Sequence, residues 1–176
     1  VCGKCTEVCY AKAREIVGKE YTARQLYNEL IKDKISFYNT QGGVTFSGGE
    51  AALYPDFICE LSQLLKQENI HIAIETAANV PWEYLEKIVG CVDMFLFDFK
   101  LFDPDKHKKW TGVSNKRILE NLEKLAAKNA DIVIRVPLIP GVNDDEEEFG
   151  NIVNFVSKLG LKELNILPFH QLGSSK

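Results

Sequence analysis

The chain has 176 residues, 45% of them hydrophobic, and a formal net charge of −4 from 21 basic and 25 acidic side chains. That length suits one domain with a real core, the acid excess lacks the basic footprint of a nucleic-acid binder, and no apolar run nears the roughly 20 residues of a membrane span. Five cysteines, three of them within the first nine residues, do not make a disulfide framework and fit a reducing, cytoplasmic setting.

The chain opens VCGKCTEVCY, which spaces Cys2, Cys5 and Cys9 as C-x2-C-x3-C. Such a run points to an iron-sulfur or zinc site, yet those sites take four ligands, and no cysteine or histidine follows before Cys59. Met94 is the only methionine, so Val1 is not a native start and the chain is expected to be processed or a fragment. A helical stretch follows at YTARQLYNELIKDK, with Thr22 and Gln25 as a capping box and Leu26, Leu30 and Ile31 on one face.

A rhythm then sets in. Apolar runs at 43–47, 70–76, 92–99, 131–139 and 163–169 predict strands, and the intervening stretches 55–68, 81–89, 115–128 and 145–158 predict helices, the second opening with Pro81 as a first-turn proline. Continuous apolar strands separated by helices imply an α/β fold of about five parallel strands flanked by helices, joined by right-handed crossovers. The acidic run DDEEE at 144–148 reads as the start of a helix, where carboxylates cap free N–H groups and complement the dipole. Cys59 and Cys91 sit among apolar residues and are predicted to be packing thiols. His71 and His107 are predicted to lie on the surface.

The polar residues fall where strands end. The first run ends in Gly48, Gly49 and Glu50, the second in Glu75 and Thr76, the third in Asp98, Phe99 and Lys100, and the fifth at His170, while Arg135 interrupts the fourth. In a closed or partial β/α barrel these positions converge on one mouth, where such folds place their sites. Gly48 and Gly49 suit either a plain tight turn or a close ligand approach to bare backbone. Asp98 and Lys100 share a strand face and suit either an ion pair or a pocket wall. A guanidinium amid apolar neighbours, as at Arg135, requires a polar cavity or a partner.

The ordered motifs GGVTFSGGE, IAIET, LFDFK, IRVPLIPGVND and LPFHQLG resemble the radical S-adenosylmethionine activating enzymes of glycyl radical enzymes, the group that includes pyruvate formate-lyase activating enzyme. The resemblance runs across nearly the whole chain and implies a partial (β/α) barrel of that type. It also implies a chemistry: a 4Fe-4S cluster donates an electron to S-adenosylmethionine, and the deoxyadenosyl radical takes a hydrogen from a glycine of a partner enzyme. Gly48, Gly49 and Glu50 match the turn that holds the methionine amino group. Glu75, Thr76, Asp98 and, through its carbonyl, Phe99 match a monovalent cation site beside the cofactor carboxylate, and Lys100, Arg135 and His170 match further cofactor-contacting positions. The implied partners are a glycyl radical enzyme of the pyruvate formate-lyase type and a flavodoxin or ferredoxin-type reductant.

The departures from that pattern are specific. Ala51 stands where many relatives have proline, and Thr76-Ala77-Ala78 where they have Thr-Ser-Gly. The C-x3-C-x2-C run that holds the radical cluster is absent. Cys2, Cys5 and Cys9 instead match the tail of a ferredoxin-type run for an accessory 4Fe-4S cluster, with Tyr10 in place of the usual proline. The expectation is a chain truncated at the N-terminus and also at the C-terminus, with residues 1–20 the remnant of a ferredoxin-like insert and 21–176 the partial barrel core. By itself it is expected to be inactive and to carry no cofactor. A missing first strand would leave an edge that invites self-association. The alternatives are a metal-binding or electron-transfer module that uses Cys2, Cys5 and Cys9 on an unrelated scaffold, and a barrel lyase with Lys100 as a Schiff-base nucleophile.

Overall fold

The computed structural model describes residues 3–16 and 18–169. A short helix α1 (Lys4–Glu7) precedes α2 (Ala23–Leu30), a single 3-10 turn (Ile31–Asp33) and α3 (Lys34–Thr40). There follow β1 (Gly43–Phe46), α4 (Pro55–Lys66), β2 (His71–Thr76), α5 (Trp82–Val89), β3 (Met94–Asp98), α6 (Pro104–Thr111), α7 (Lys116–Ala127), β4 (Ile132–Leu138), α8 (Glu146–Lys158) and β5 (Glu163–Pro168).

The five strands pair in parallel in chain order, β1-β2-β3-β4-β5. Every crossover steps one place in the same direction, so right-handed connections lay all the crossover helices on one side of the sheet. That side is the core. Ile72, Ile74, Phe95, Phe97, Phe99, Ile132, Ile134 and Val136 are buried there against Ile58, Leu61, Leu65, Leu85, Ile88, Leu122, Leu125, Ile152 and Val156. The opposite face differs from a sheet covered on both sides. Residues alternate faces along a strand, and Glu75, Leu96, Asp98 and Arg135 on this second face are only half-buried. It is the face that a closed barrel would turn inward.

The capping box forms as predicted: Gln25 N donates to Thr22 Oγ1 at 3.2 Å and Thr22 N to Gln25 Oε1 at 2.9 Å. Asp145 caps α8 by accepting from Glu148 N at 2.8 Å, but Glu148 leaves the exposed acidic run and is 1% exposed. Its Oε1 accepts the N–H groups of Phe102 and Asp103, the latter at 3.2 Å, and fastens the turn between β3 and α6.

Two predictions are corrected. His107 is buried, 3% exposed, because DPDKHKKWT forms α6, a helix too polar to show an apolar period. Its start was marked, since Asp103 accepts from Asp105 N and Lys106 N and Pro104 occupies the first turn. His107 Nδ1 lies 2.8 Å from the Val113 carbonyl oxygen and ties off the α6–α7 turn. Cys59 and Cys91 form a disulfide rather than lying as packing thiols. The packing of α4 beside α5 brings their Cα atoms to 5.1 Å, a proximity that a separation of 32 residues conceals.

Candidate functional site

The turn after β1 begins the site. Gly48 has φ +117°, a backbone conformation that only glycine holds without strain. A Cβ on Gly49 would meet nothing within 4 Å, so no neighbouring atom demands that glycine and its backbone is left bare. A third glycine, unremarked in the sequence, is required by packing: a Cβ on Gly43 would lie 1.9 Å from the His71 carbonyl oxygen across the β1–β2 pair.

Glu50 closes this turn onto the end of β2. Its Oε1 accepts from Thr76 Oγ1 at 2.7 Å and from Ala52 N at 3.2 Å, and its Oε2 from Ala77 N at 3.1 Å. Thr76 is buried on the core side of β2, and its hydroxyl also accepts from Ala78 N at 2.8 Å. Ala78, wholly buried, takes φ +54° in this turn. Asn121, on α7, holds the same turn by donating to the carbonyl oxygens of Ala78 at 2.8 Å and Val80 at 2.9 Å.

The half-open face gathers the charges. Glu75 accepts from Ser47 Oγ and from Arg135 Nη1. The Ser47 hydroxyl first, and the guanidinium second, hold the Glu75 carboxyl below its ordinary range against the opposing effect of burial. The same guanidinium turns Nε toward Asp98 Oδ1 at 3.6 Å, and Asp98 Oδ2 lies 3.7 Å from Lys100 Nζ. Register explains the convergence, because Asp98 and Arg135 are paired residues of β3 and β4. Asp98 Oδ1 is nonetheless buried without a hydrogen-bond donor. Phe99 donates its N–H to Arg135 O at 2.9 Å and buries its ring 6.1 Å from that of Phe155.

Thus Gly48, Gly49, Glu50 and Glu75 lie at the carboxyl ends of β1 and β2 and Asp98 and Lys100 at that of β3, Thr76 supports Glu50 from beneath, and Arg135 reaches in from the middle of β4 and finds partners in two carboxylates. His170 and Cys2 lie outside the described residues. Cys5 is exposed and Cys9 half-exposed, both as free thiols. Among the described residues no three His, Cys, Asp or Glu side chains converge as a metal site. No helix among the described residues is long and apolar enough to cross a membrane.

A match to the Radical SAM superfamily covers residues 7–153. The chain is 45% identical over 167 residues to the trans-4-hydroxy-L-proline dehydratase activating enzyme of Clostridioides difficile, covering 93% of this chain and 55% of that protein. It is 43% identical over 175 residues to the 4-hydroxyphenylacetate decarboxylase activating enzyme of Clostridioides difficile strain 630, covering 98% of this chain and 55% of that one. The crystal structure of a domain of pyruvate-formate lyase-activating enzyme from Bacteroides vulgatus superposes with a TM-score of 0.68 at 33% identity, over 74% of this chain and 83% of that one. The chain spans about half the length of the curated relatives it matches.

Proposed function

Because the chain belongs to the Radical SAM superfamily, we propose that it forms the cofactor-holding part of an activating enzyme that generates a glycyl radical on a partner enzyme. The alternative of a metal-binding module on an unrelated scaffold falls with the family match. The observation that carries the proposal is the array Glu75, Arg135 and Asp98, three charged side chains from three adjacent strands on the half-open face. When bound, S-adenosylmethionine and a reduced 4Fe-4S cluster supply the radical chemistry.

The residues fit the first of these groups, so the pocket is proposed to bind S-adenosylmethionine even without a cluster, where the sequence led us to expect no bound cofactor. S-adenosylmethionine carries an ammonium, a carboxylate and a sulfonium. Glu50 cannot swing away, since three donors fix it, so its charge stays beside the bare Gly48–Gly49 backbone, where an ammonium needs it. Arg135 and Lys100 supply the cationic side for the carboxylate. Asp98 Oδ1, buried with no donor, awaits one. Glu75 keeps Arg135 oriented, and a monovalent cation beside Glu75 and Asp98 would share these carboxylates with the guanidinium. Such fixed charges favour a bound ion without reorganising as it arrives.

The accessory role for Cys2, Cys5 and Cys9, with residues 1–20 as a separate insert, belongs to the same proposal. So does the partner, which we assign as a glycyl radical enzyme without choosing pyruvate formate-lyase among the dehydratases, decarboxylases and lyases that the resemblance allows. A flavodoxin or ferredoxin-type protein is the proposed electron donor. The test is titration of S-adenosylmethionine into the anaerobic chain, followed by amide resonances. Saturable shifts at Gly48, Gly49 and Ala77 that weaken about tenfold or more in Glu50→Gln support the pocket. Their absence, or indifference to the substitution, overturns it.

A further inference from the structure

The β3–β4 ladder runs out at the site. Its last registered pair is Asp98 and Arg135, and the last main-chain bond beside that pair is Phe99 N to Arg135 O at 2.9 Å. One residue beyond, a side chain takes over. Asn143 Nδ2 donates to Lys100 O at 2.8 Å and to Pro137 O at 2.8 Å, while its Oδ1 accepts from Ile139 N at 2.7 Å. Asn143 is 1% exposed. Both its donors are used, each on a different strand's continuation, and its carbonyl is used as well.

Two other buried asparagines show what is particular here. Asn115 donates to Leu101 O and Phe102 O, and Asn121 to Ala78 O and Val80 O. Each of those pairs of acceptors belongs to one loop. Among the described residues with buried asparagine side chains, Asn143 joins the ends of two strands. Those are the strands that carry Asp98 and Lys100 on one side and Arg135 on the other. The charged pair therefore sits between the body of the ladder and a side-chain clamp, and the gap between its two members is held from both ends.

We propose that Asn143 is a positioning residue that sets the spacing of Asp98 and Lys100 against Arg135, and through it the affinity of the pocket for S-adenosylmethionine. The second half of this rests on the function proposed above. The physical reason is that groups held within a fraction of an ångström by a supporting layer lose about tenfold or more in binding when that layer is loosened. Without the amide, two part-buried carbonyl oxygens and one N–H lose this partner, and the strand ends separate to reach water.

The experiment compares Asn143→Ala and Asn143→Asp with wild type and with Leu125→Ala, a core substitution in α7 remote from the mouth. Three readings are taken: the thermal midpoint, the Arg135 Nε–H resonance assigned by its loss in Arg135→Lys, and the dissociation constant for S-adenosylmethionine. Expected is a shifted or broadened Arg135 signal and about a tenfold weaker affinity in Asn143→Ala, with neither change in Leu125→Ala. Asn143→Asp keeps the shape but, ionised, cannot donate. It is expected to move the Arg135 signal and to weaken the affinity as Asn143→Ala does, since neither carbonyl regains a donor.

If Asn143→Ala does not fold, Asn143→Asp decides by the same Arg135 signal and affinity. An unmoved Arg135 signal in the folded Asn143 variants, or equal changes in Leu125→Ala, overturns the proposal. If wild type itself binds no S-adenosylmethionine, the pocket reading fails and the affinity half of this proposal with it. The Arg135 signal still decides the positioning half, in favour if it moves only in the Asn143 variants and against if it does not.

Discussion

Arg135 and Asp98 face each other across the last registered step of β3 and β4, Nε 3.6 Å from Oδ1, while the same guanidinium bonds Glu75 on β2. One cation thus joins three strands and keeps two carboxylates from confronting each other. Arg135→Gln removes it and leaves two half-buried like charges. The expected cost at pH 7 is about 1–2 kcal/mol, kept modest by partial solvent access. Urea denaturation measures it, and the cycle with Glu75→Gln should recover part of the loss. The exposed Lys87 and Asp56 pair, 3.0 Å apart, should show almost no coupling in the same assay.

Acid should weaken this array in a defined window. Glu75 is held low by Ser47 and Arg135, so its folded value lies below its unfolded one, near 4.3. A depressed carboxyl contributes stability that is fully present above the unfolded value and is lost as pH falls through the folded value. Wild type should therefore exceed Glu75→Gln in stability at pH 7, and the difference should shrink steadily below about pH 4. Ser47→Ala should narrow the gap at pH 7. Glu68 and Asp145 are also held low, so it is the difference between variants, not the raw acid transition, that reports on Glu75.

What was legible in the sequence follows from how local each signal is. Arg135 announced itself because a guanidinium inside an apolar strand has few places to go, and Gly48 because paired glycines after a strand suit a tight turn or a bare backbone, though its positive φ came only with the structure. Glu50 was legible as a residue, but not the threonine hydroxyl and the alanine N–H that fix it from 26 and 27 positions away. Of the buried asparagines, 115 and 121 stand in the stretch predicted as a helix and 143 in one that reads as an ordinary turn. Their work is done on carbonyl oxygens that become neighbours only after the sheet forms. His107 was misplaced because the polar α6 has no apolar stripe, and the Cys59 and Cys91 contact exists only once α4 lies against α5. Local chemistry was readable, and tertiary proximity was not.

Ala78 offers a test of strain at the mouth. It holds φ +54° while wholly buried, at the end of the Thr76-Ala77-Ala78 turn. The left-handed region costs an L-residue about 1–2 kcal/mol, whereas glycine adopts it freely but forfeits a buried methyl of about 0.8 kcal/mol and gains unfolded-state entropy. These nearly cancel, so Ala78→Gly should lie within about 1 kcal/mol of wild type by thermal denaturation. Ala78→Val, β-branched at positive φ in a site with no exposure, should lose more than about 3 kcal/mol. Equal losses for both would show that volume, not backbone conformation, governs this position.

The Cys59–Cys91 bond closes a segment with a sequence separation of 32 across α4, β2 and α5. A cross-link of that span restricts the unfolded chain and is worth about 3–4 kcal/mol on the entropic account. Alkylation of the native chain without reductant should label Cys5 and Cys9, which are free, and leave Cys59 and Cys91 unmodified until a reductant is added. Paired substitution of both by serine should lower the denaturation midpoint to that of the reduced wild type, and added reductant should then have no further effect. The bond lies among the helices packed on the far side of the sheet from Glu75, Asp98 and Arg135. Its loss should accordingly lower stability without moving the Arg135 Nε–H resonance, which separates a brace of the scaffold from a part of the pocket.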